Sequence, residues 1–522
     1  MLLCSQGICS ISSREWTADS IFYRRGSMVN PREPSADFKN RLKEMLKPEQ
    51  ISELPEILEK YSQDCSFHEK NSPSLAVFPG AKEEVQSIVR LAAETMTPLV
   101  PVSSGPPRFH GGSVPERGGV IVDFSRMKKI RKIDQVSRYA WLEAGVTFGE
   151  LVPELTRQGL KLVAPLLPRA NKSVVASRLE REPVIVPKYQ YDFIDPLLTL
   201  EVVYGTGEDF RTGSASGPGT LETLKADKVN PWGPGSVDYF RFVSGAQGTM
   251  GLVTWAITKV EVLPVLQKLH FIAHKEIEVL EHLMNELLRR RVVDECLALN
   301  NVNFAAVLSR HWPDDFIQLK KDLPPWTLIL CLAGYKRRPE ERLAIMTKYL
   351  HEVCDSCGAR PLTDLPGAEG KEKDILEILS GPYAGEPYWK LRPRGACQDI
   401  FFLTTLSKAA ELNKVMQKIV SKHRLPPEDI GGYVQPMVQG RGCHCEYNLF
   451  YDSSDISEVE ETKKLFTNAS QALLDSGAFF SRPYGPWANM VYNRYPEQVK
   501  ALKKLKNIFD PHNILNPGKL CF

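Results

Sequence analysis

Three polar side chains on one strand face suggest proton chemistry. In GGYVQPMVQGRGCHCEYNLFYD (431–452), His444, Glu446 and Asn448 alternate along a run that is otherwise apolar, so they share one face of a strand. Burying three such groups is costly unless they meet a cavity or a partner. An imidazole with an ordinary pKa near ~6.5 can take a proton at neutral pH, and Glu446 or Tyr433 could steady it. In SGAFFSRPYGPWANMVYNR (476–494), Arg482 offers a planar fork for a carboxylate or a phenolate, and Tyr484, Trp487 and Tyr492 could wall a flat pocket. Arg441 is a weaker second cation.

Two glycine-bearing turns provide the other chemistry. Ser103, Ser104, Gly105, Pro106, Pro107, Arg108, Phe109, His110, Gly111, Gly112 and Ser113 form a loop between two strands, where backbone N–H groups with little obstruction could approach a pyrophosphate. In the second turn Gly245, Gly248 and Gly251 recur at every third position, with Ser244 and Thr249 as hydroxyl donors and Leu252 and Val253 opening the next strand. A strand follows this turn where a Rossmann fingerprint would need a helix, so a nicotinamide cofactor is disfavoured. Cys354 and Cys357 form a CxxC without a second pair at zinc-ribbon spacing, and no metal site is expected.

These turns need elements to hold them. EQISELPEILEKY reads as a helix from about Pro48 to Tyr61, and 75–103 reads as a β-α-β unit whose helix runs from Lys82 to Thr95. Segments 118–127 and 138–155 read as strands followed by a helix, 198–213 as two strands joined by Gly-Thr-Gly, and 252–264 as a strand. Beyond His270, long helical patterns (276–293, 457–477) alternate with isolated strands such as LILCLAGYK, and 501–522 is a helix stopped by Asp-Pro. The fold class is α+β. The expected divisions are an N-terminal extension (1–46), a first domain (47–265), a second domain (266–490) and a C-terminal segment (491–522).

Composition narrows the function classes. The 522 residues exceed one hydrophobic core, and 43% apolar with 25% charged residues fits a globular chain. Basic and acidic residues, 66 against 63, are interspersed, so nothing points to nucleic acid. The longest apolar runs are too short for a transmembrane helix, and residues 1–28 lack the form of a secretory signal. Eleven irregularly spaced cysteines suggest reduced thiols, and the expected location is cytoplasmic or peripheral to the inner face of a membrane.

Taken in order, the 101–130 loop, EAGVTFGELVPEL, the 242–264 turn and the closing NIFDPHNILNPGKL resemble the flavoproteins named for vanillyl alcohol oxidase, the p-cresol-methylhydroxylase-type FAD-linked oxidases. That family also includes glycolate oxidase and D-lactate dehydrogenase flavoprotein subunits. The resemblance implies a two-subdomain FAD-binding domain, an α+β cap over the isoalloxazine, and a C-terminal segment, with Asn516, that returns to the FAD domain. It implies that 103–113 cradles the pyrophosphate, that 244–253 runs along the cofactor, and that Pro168, Ser173, Ala176 and Ser177 lie close to it. Relatives carry a glycine-rich stretch where this chain has 164–196, and covalently linked relatives carry their histidine elsewhere than His110, so FAD is expected without a covalent bond. The HxGDGN pattern of metal-containing relatives is absent.

The activity so implied is hydride transfer from a small 2-hydroxy acid to flavin N5, with Arg482 orienting the anion and His444 taking the proton. Oxidation of para-substituted phenols or aromatic alcohols is the second reading, and a non-catalytic flavin subunit of an electron-transfer complex the third. The expected partners are a small anionic substrate, an electron acceptor for which an iron–sulfur or cytochrome protein is a candidate, and a second copy of the chain in a homodimer.

Overall fold

A computed structural model describes residues 33–187, 196–217, 219–233, 235–236 and 239–522; Cys4, Cys9 and Met28 and part of the 164–196 stretch lie outside these. Three sheets organise the described chain. The smallest runs in the order Ile51–Ser52, Leu75–Val77, Val120–Asp123, Leu99–Val102. Helix Lys82–Thr95 buries Val85, Ile88, Val89, Leu91 and Ala92 against it, a stripe at the three- and four-residue spacing of one helix face. The β-α-β unit therefore forms as expected, but its two strands are not neighbours. Val120–Asp123 lies between them and is parallel to both.

The expected helix over 48–61 is broken. Residues Pro48–Gln50 make one 3-10 turn, Ile51–Ser52 pairs antiparallel with Leu75–Val77, and the helix starts only at Pro55. The reason is local. Pro55 fixes its own φ and pushes Leu54 out of the helical region, so a helix cannot run through it but can begin at it.

The second sheet runs Ile130–Asp134, Tyr139–Glu143, Leu252–Val262, Leu197–Val203, Asp209–Arg211, with Leu160–Leu162 paired farther along Leu252–Val262. Helix Phe148–Arg157 begins at a reciprocal cap. Thr147 Oγ1 accepts the Glu150 N–H at 3.3 Å, and the Glu150 carboxylate accepts the Thr147 N–H at 3.0 Å. The third sheet is wholly antiparallel, in the order Leu266–His274, Trp326–Gly334, Glu295–Asn300, Gly431–Met437, Gly442–Tyr451, Ala396–Thr404. Apolar clusters cover both its faces, one built on helix Ile277–Arg289, the other on helix Asn301–Leu308. Among the described residues, no helix is long and apolar enough to cross a membrane.

The chain then returns to its beginning. Helix Pro496–Phe509 stops at Asp510, and the next residues bond to strand Leu99–Val102: the Leu99 N–H donates to Ile514 O at 2.8 Å and the Asn516 N–H to Leu99 O at 2.8 Å. Asp510 anchors this return. Its carboxylate accepts Lys506 Nζ at 2.5 Å and the N–H groups of Ile514 and Leu515 at 3.1 and 2.8 Å, while Lys506 also donates to Thr249 O at 2.6 Å. Both side chains are buried, so removing one leaves the other without its partner in a dry site. We expect Asp510→Ala to lower the unfolding free energy by about 3–5 kcal/mol in chemical denaturation. A loss below ~1 kcal/mol would show that this pair does not secure the C-terminal return.

Candidate cofactor and substrate site

A cavity of about 260 Å³ lies between the glycine turns and the third sheet. A single water occupies about 30 Å³, so the space is of ligand size. The 103–113 loop forms one wall. Arg169 donates to Gly105 O at 2.8 Å and also to Pro107 O, and the Asn171 side chain donates to Pro106 O. The Gly105 N–H donates to Asn171 O and the Gly111 N–H to Asp64. Gly105, Pro106, Pro107 and Gly111 are thereby committed within the protein and do not line the cavity. Gly111 is needed for its backbone: φ is +74°, and a Cβ there would sit 3.0 Å from the His68 ring.

Ser103, Ser104, Arg108, Phe109, His110, Gly112 and Ser113 do line it. Arg108 is turned backwards, donating to Lys60 O and Ser104 O and lying 4.7 Å above the Tyr61 ring. The backbone N–H groups of Phe109, His110, Gly112 and Ser113 have no acceptor among the described residues. A run of unpaired N–H groups on a cavity wall suits a diphosphate.

The second turn faces the first. Gly245, Gly248, Gly251, Leu252 and Val253 all line the cavity. Gly248, at φ +72°, has Pro101 where a Cβ would go, only 2.3 Å away. Ser244 and Thr249, expected as donors to a ligand, are used internally. The Ser244 hydroxyl accepts from Arg181 Nε at 2.9 Å, and that of Thr249 donates to Ala246 O at 2.7 Å. Ser173 caps helix Val174–Leu179, accepting the Ala176 N–H, and donates to Ala144 O at 2.6 Å. Ser177 donates to Glu182 at 2.6 Å. In each case a nearer protein group takes the hydroxyl, and of Pro168, Ser173, Ala176 and Ser177 only Pro168 and Ala176 line the cavity. Asn516 joins the two turns. Its side-chain amide donates to Gly112 O at 3.0 Å and to Gln247 O at 2.7 Å.

Charged residues that the sequence did not single out complete the walls. Lys172 holds Glu180 at 2.6 Å and Glu182 at 2.7 Å, and all three line the cavity. Burial alone would raise the Glu182 pKa, but the Lys172 ammonium overrides it and brings the group down to about 2. On the opposite wall Lys390 Nζ lies between Asp399 at 2.7 Å and Glu446 at 2.5 Å. Asn448 donates to Asp399 at 2.6 Å and to Glu446 at 2.8 Å, and in turn accepts from Asn303 at 2.6 Å. Burial works against both carboxylates, yet Lys390 holds Asp399 below its ordinary pKa and Glu446 well below. Asp399 was detectable in principle, as the one acidic residue in the apolar strand ACQDIFFLT (396–404). Nothing in the spacing pairs it with Lys390.

His444 is placed differently from the expectation. Its alternation with Glu446 and Asn448 is as read, but the imidazole is fully buried behind Glu446, Nε2 to Oε2 at 3.1 Å, and does not line the cavity. Burial lowers its pKa. Tyr433 reaches the cavity, but its hydroxyl donates to Gln435 at 3.0 Å, not to His444. Glu446 is thus the member of the strand face nearest a ligand. Arg482 and Tyr484 line the cavity as expected. The Arg482 guanidinium lies 4.1 Å above the Phe401 ring, with no carboxylate of the described residues at ion-pair distance. Tyr484 stacks on His110, centroids 5.0 Å apart. Trp487 donates to Ser470 within the apolar cluster on one face of the third sheet, and neither Tyr492 nor Arg441 reaches the cavity. Among the described residues, no group of three His, Cys, Asp or Glu side chains is placed to hold a metal ion.

The two turns, the wall of unpaired N–H groups and the covering sheet form a slot that suits a diphosphate-bearing cofactor. Residues 73–212 match the FAD binding domain and residues 440–520 the C-terminal domain of FAD linked oxidases. The chain is 22% identical to the glycolate oxidase subunit GlcD of Bacillus subtilis, over 93% of this chain and 96% of that protein. It is 24% identical to the 4-cresol dehydrogenase [hydroxylating] flavoprotein subunit of Pseudomonas putida, over 86% and 88%. The fold is that of p-cresol methylhydroxylase with substrate bound, at TM-score 0.80 and 21% identity over 94% of this chain and 98% of that one. The chain accordingly carries an FAD binding domain and an FAD-linked-oxidase C-terminal domain on a fold of the p-cresol methylhydroxylase type, and its cofactor is FAD.

Gly112 tests the cradle. A Cβ there would lie 3.5 Å from the Tyr484 ring, so a valine would project into the cavity without a backbone clash. We expect Gly112→Val to fold but to purify with at most about a tenth of the wild-type flavin absorbance, a loss of roughly 1.4 kcal/mol or more in cofactor binding. Full flavin content would place the cofactor elsewhere.

Proposed function

We propose that FAD lies between the two turns, its diphosphate on the N–H groups of Phe109, His110, Gly112 and Ser113, and that the enzyme oxidises a flat substrate held as an anion by Arg482. A para-substituted phenol or aromatic alcohol is the substrate class that the walls support best. The observation that carries this reading is Arg482, a buried cation without a close carboxylate, in a cavity lined by Phe109, Tyr388, Trp389, Phe401, Tyr433 and Tyr484. Aromatic faces bind flat rings by offset stacking, and a guanidinium binds the oxygen of a phenolate. Bound FAD supplies the hydride acceptor. The protein's part is to orient the substrate, exclude water and manage its protons beside the Lys390, Asp399 and Glu446 cluster. The 4-cresol dehydrogenase relative agrees with this reading, and its designation as a subunit favours an electron-carrying protein partner.

A second reading, a 2-hydroxy acid, has its own support. The same guanidinium fork suits a carboxylate, and the glycolate oxidase, D-2-hydroxyglutarate dehydrogenase and D-lactate dehydrogenase relatives each span over nine-tenths of the chain. Anaerobic mixing separates the two. We expect 4-cresol or 4-hydroxybenzyl alcohol to bleach the flavin and D-lactate and glycolate to leave it oxidised; the reverse pattern would establish the hydroxy acid.

Arg482→Ala should lower kcat/KM by roughly ten- to a hundredfold through loss of a charge-assisted bond, with most of the change in KM. Kinetics like those of the wild type would remove the arginine from the site. We further propose that FAD is held without a covalent bond, since His110, the histidine of the loop, is turned with Nε2 toward Asp399 at 3.6 Å. Acid precipitation should release all the yellow colour into the supernatant, and colour in the pellet would contradict this.

A further inference from the structure

His110 has a polar atom without a partner. Its Nε2 is buried and makes no hydrogen bond, and the nearest carboxylate, Asp399, stands 3.6 Å away. A gap of this size is common in unliganded catalytic sites, where such contacts tighten only when substrate binds. Asp399 is itself fixed: one oxygen accepts Asn448 and the Cys397 thiol, and the other accepts Lys390. His110 also has a left-handed backbone, φ +71°, which non-glycine residues adopt at a cost and which often marks a functional position. Its ring packs edge-on against Phe401 at 5.1 Å and face-on against Tyr484. Arg482 lies over the same Phe401 ring.

We propose that His110 accepts the hydroxyl proton of the bound phenol, with Asp399 as its positioning residue, so that the substrate becomes the anion that Arg482 holds. The inference rests on the aromatic-substrate reading above. In the step, the phenol O–H bond breaks and the proton bonds to Nδ1, the ring nitrogen turned away from Asp399. The electron pair stays on the phenolate oxygen, beside the Arg482 guanidinium. The imidazolium so formed donates Nε2–H to Asp399, whose negative charge stabilises it. No redox change is involved. The charged groups around His110 are Asp399 and, behind it, Lys390 and Glu446, with Arg482 across Phe401 and the Tyr484 hydroxyl on the stacked ring. His444, the sequence's candidate, is separated from the cavity by Glu446 and cannot take this role.

The test uses holoenzyme and 4-fluorophenol, which has no oxidisable carbon and whose fluorine NMR shift reports ionisation. A free phenol ionises near pH ~10. With wild-type protein at pH 7, the bound ligand is expected as phenolate. With His110→Asn, an exchange that tolerates the left-handed backbone but provides no base, it is expected as neutral phenol with at least tenfold weaker affinity. Asp399→Asn should shift ionisation of the bound ligand to higher pH in the same direction, and carries the test if His110→Asn fails to retain FAD. Phenolate in both variants, or neutral phenol in the wild type, overturns the role of His110 while leaving the aromatic site intact. No binding of 4-fluorophenol to wild type, with flavin bleached by a 2-hydroxy acid, overturns the substrate reading and this inference with it.

Discussion

One side-chain amide ties the site together. The two N–H groups of Asn516 are spent on Gly112 O and Gln247 O, carbonyls of turns more than a hundred residues apart in the chain, and the Asn516 backbone is itself bonded to Leu99. A loop rich in glycine has many conformations to lose, so a slot built from two such loops needs a brace that both can share. A short side chain with two donors at a fixed angle meets that need. The buried Lys506 and Asp510 pair holds the segment that delivers Asn516, and so links the brace to the helix before it. The Lys519 contacts with His68 and Glu116 secure the other side of the segment, next to the residue against which Gly111 packs.

What could be read from the chain follows from what is local. Glycine spacing, the alternation of 444, 446 and 448, the 82–95 helix and the helix that ends at Asp510 are set by neighbours a few residues away, and each forms as its pattern implies. Over 48–61 the apolar spacing is helical, but the proline inside it decides where the helix can start. The site was less legible because its pairings cross the fold. Whether the Ser244 hydroxyl faces a ligand or Arg181, and whether Lys390 stands beside Asp399, depends on which elements meet. No spacing rule encodes that. The small-residue stretch 173–177 shows the same limit: the serines look available for a ligand, yet one caps a helix and the other serves Glu182.

One wall of the cavity is organised around a single ring. Phe401 carries Arg482 over its face and His110 against its edge, and it also contacts Tyr484 and Trp487. Its strand, Ala396–Thr404, holds Asp399 two positions earlier and pairs with the strand of Glu446, Phe401 standing opposite Glu446. Strand register thus fixes Phe401 and the two carboxylates relative to one another, and the guanidinium and the imidazole pack on that ring, which is the kind of rigid support that positioning a reacting molecule requires.

The ammonium between two carboxylates carries a further consequence. Lys390 can neutralise only one of Asp399 and Glu446, so these three side chains taken by themselves carry a net negative charge. A second anionic group brought within ~4 Å of it would face a repulsion of about 4 kcal/mol at an effective dielectric constant of ~20. Electrostatics therefore disfavours an anionic group set directly against these two carboxylates.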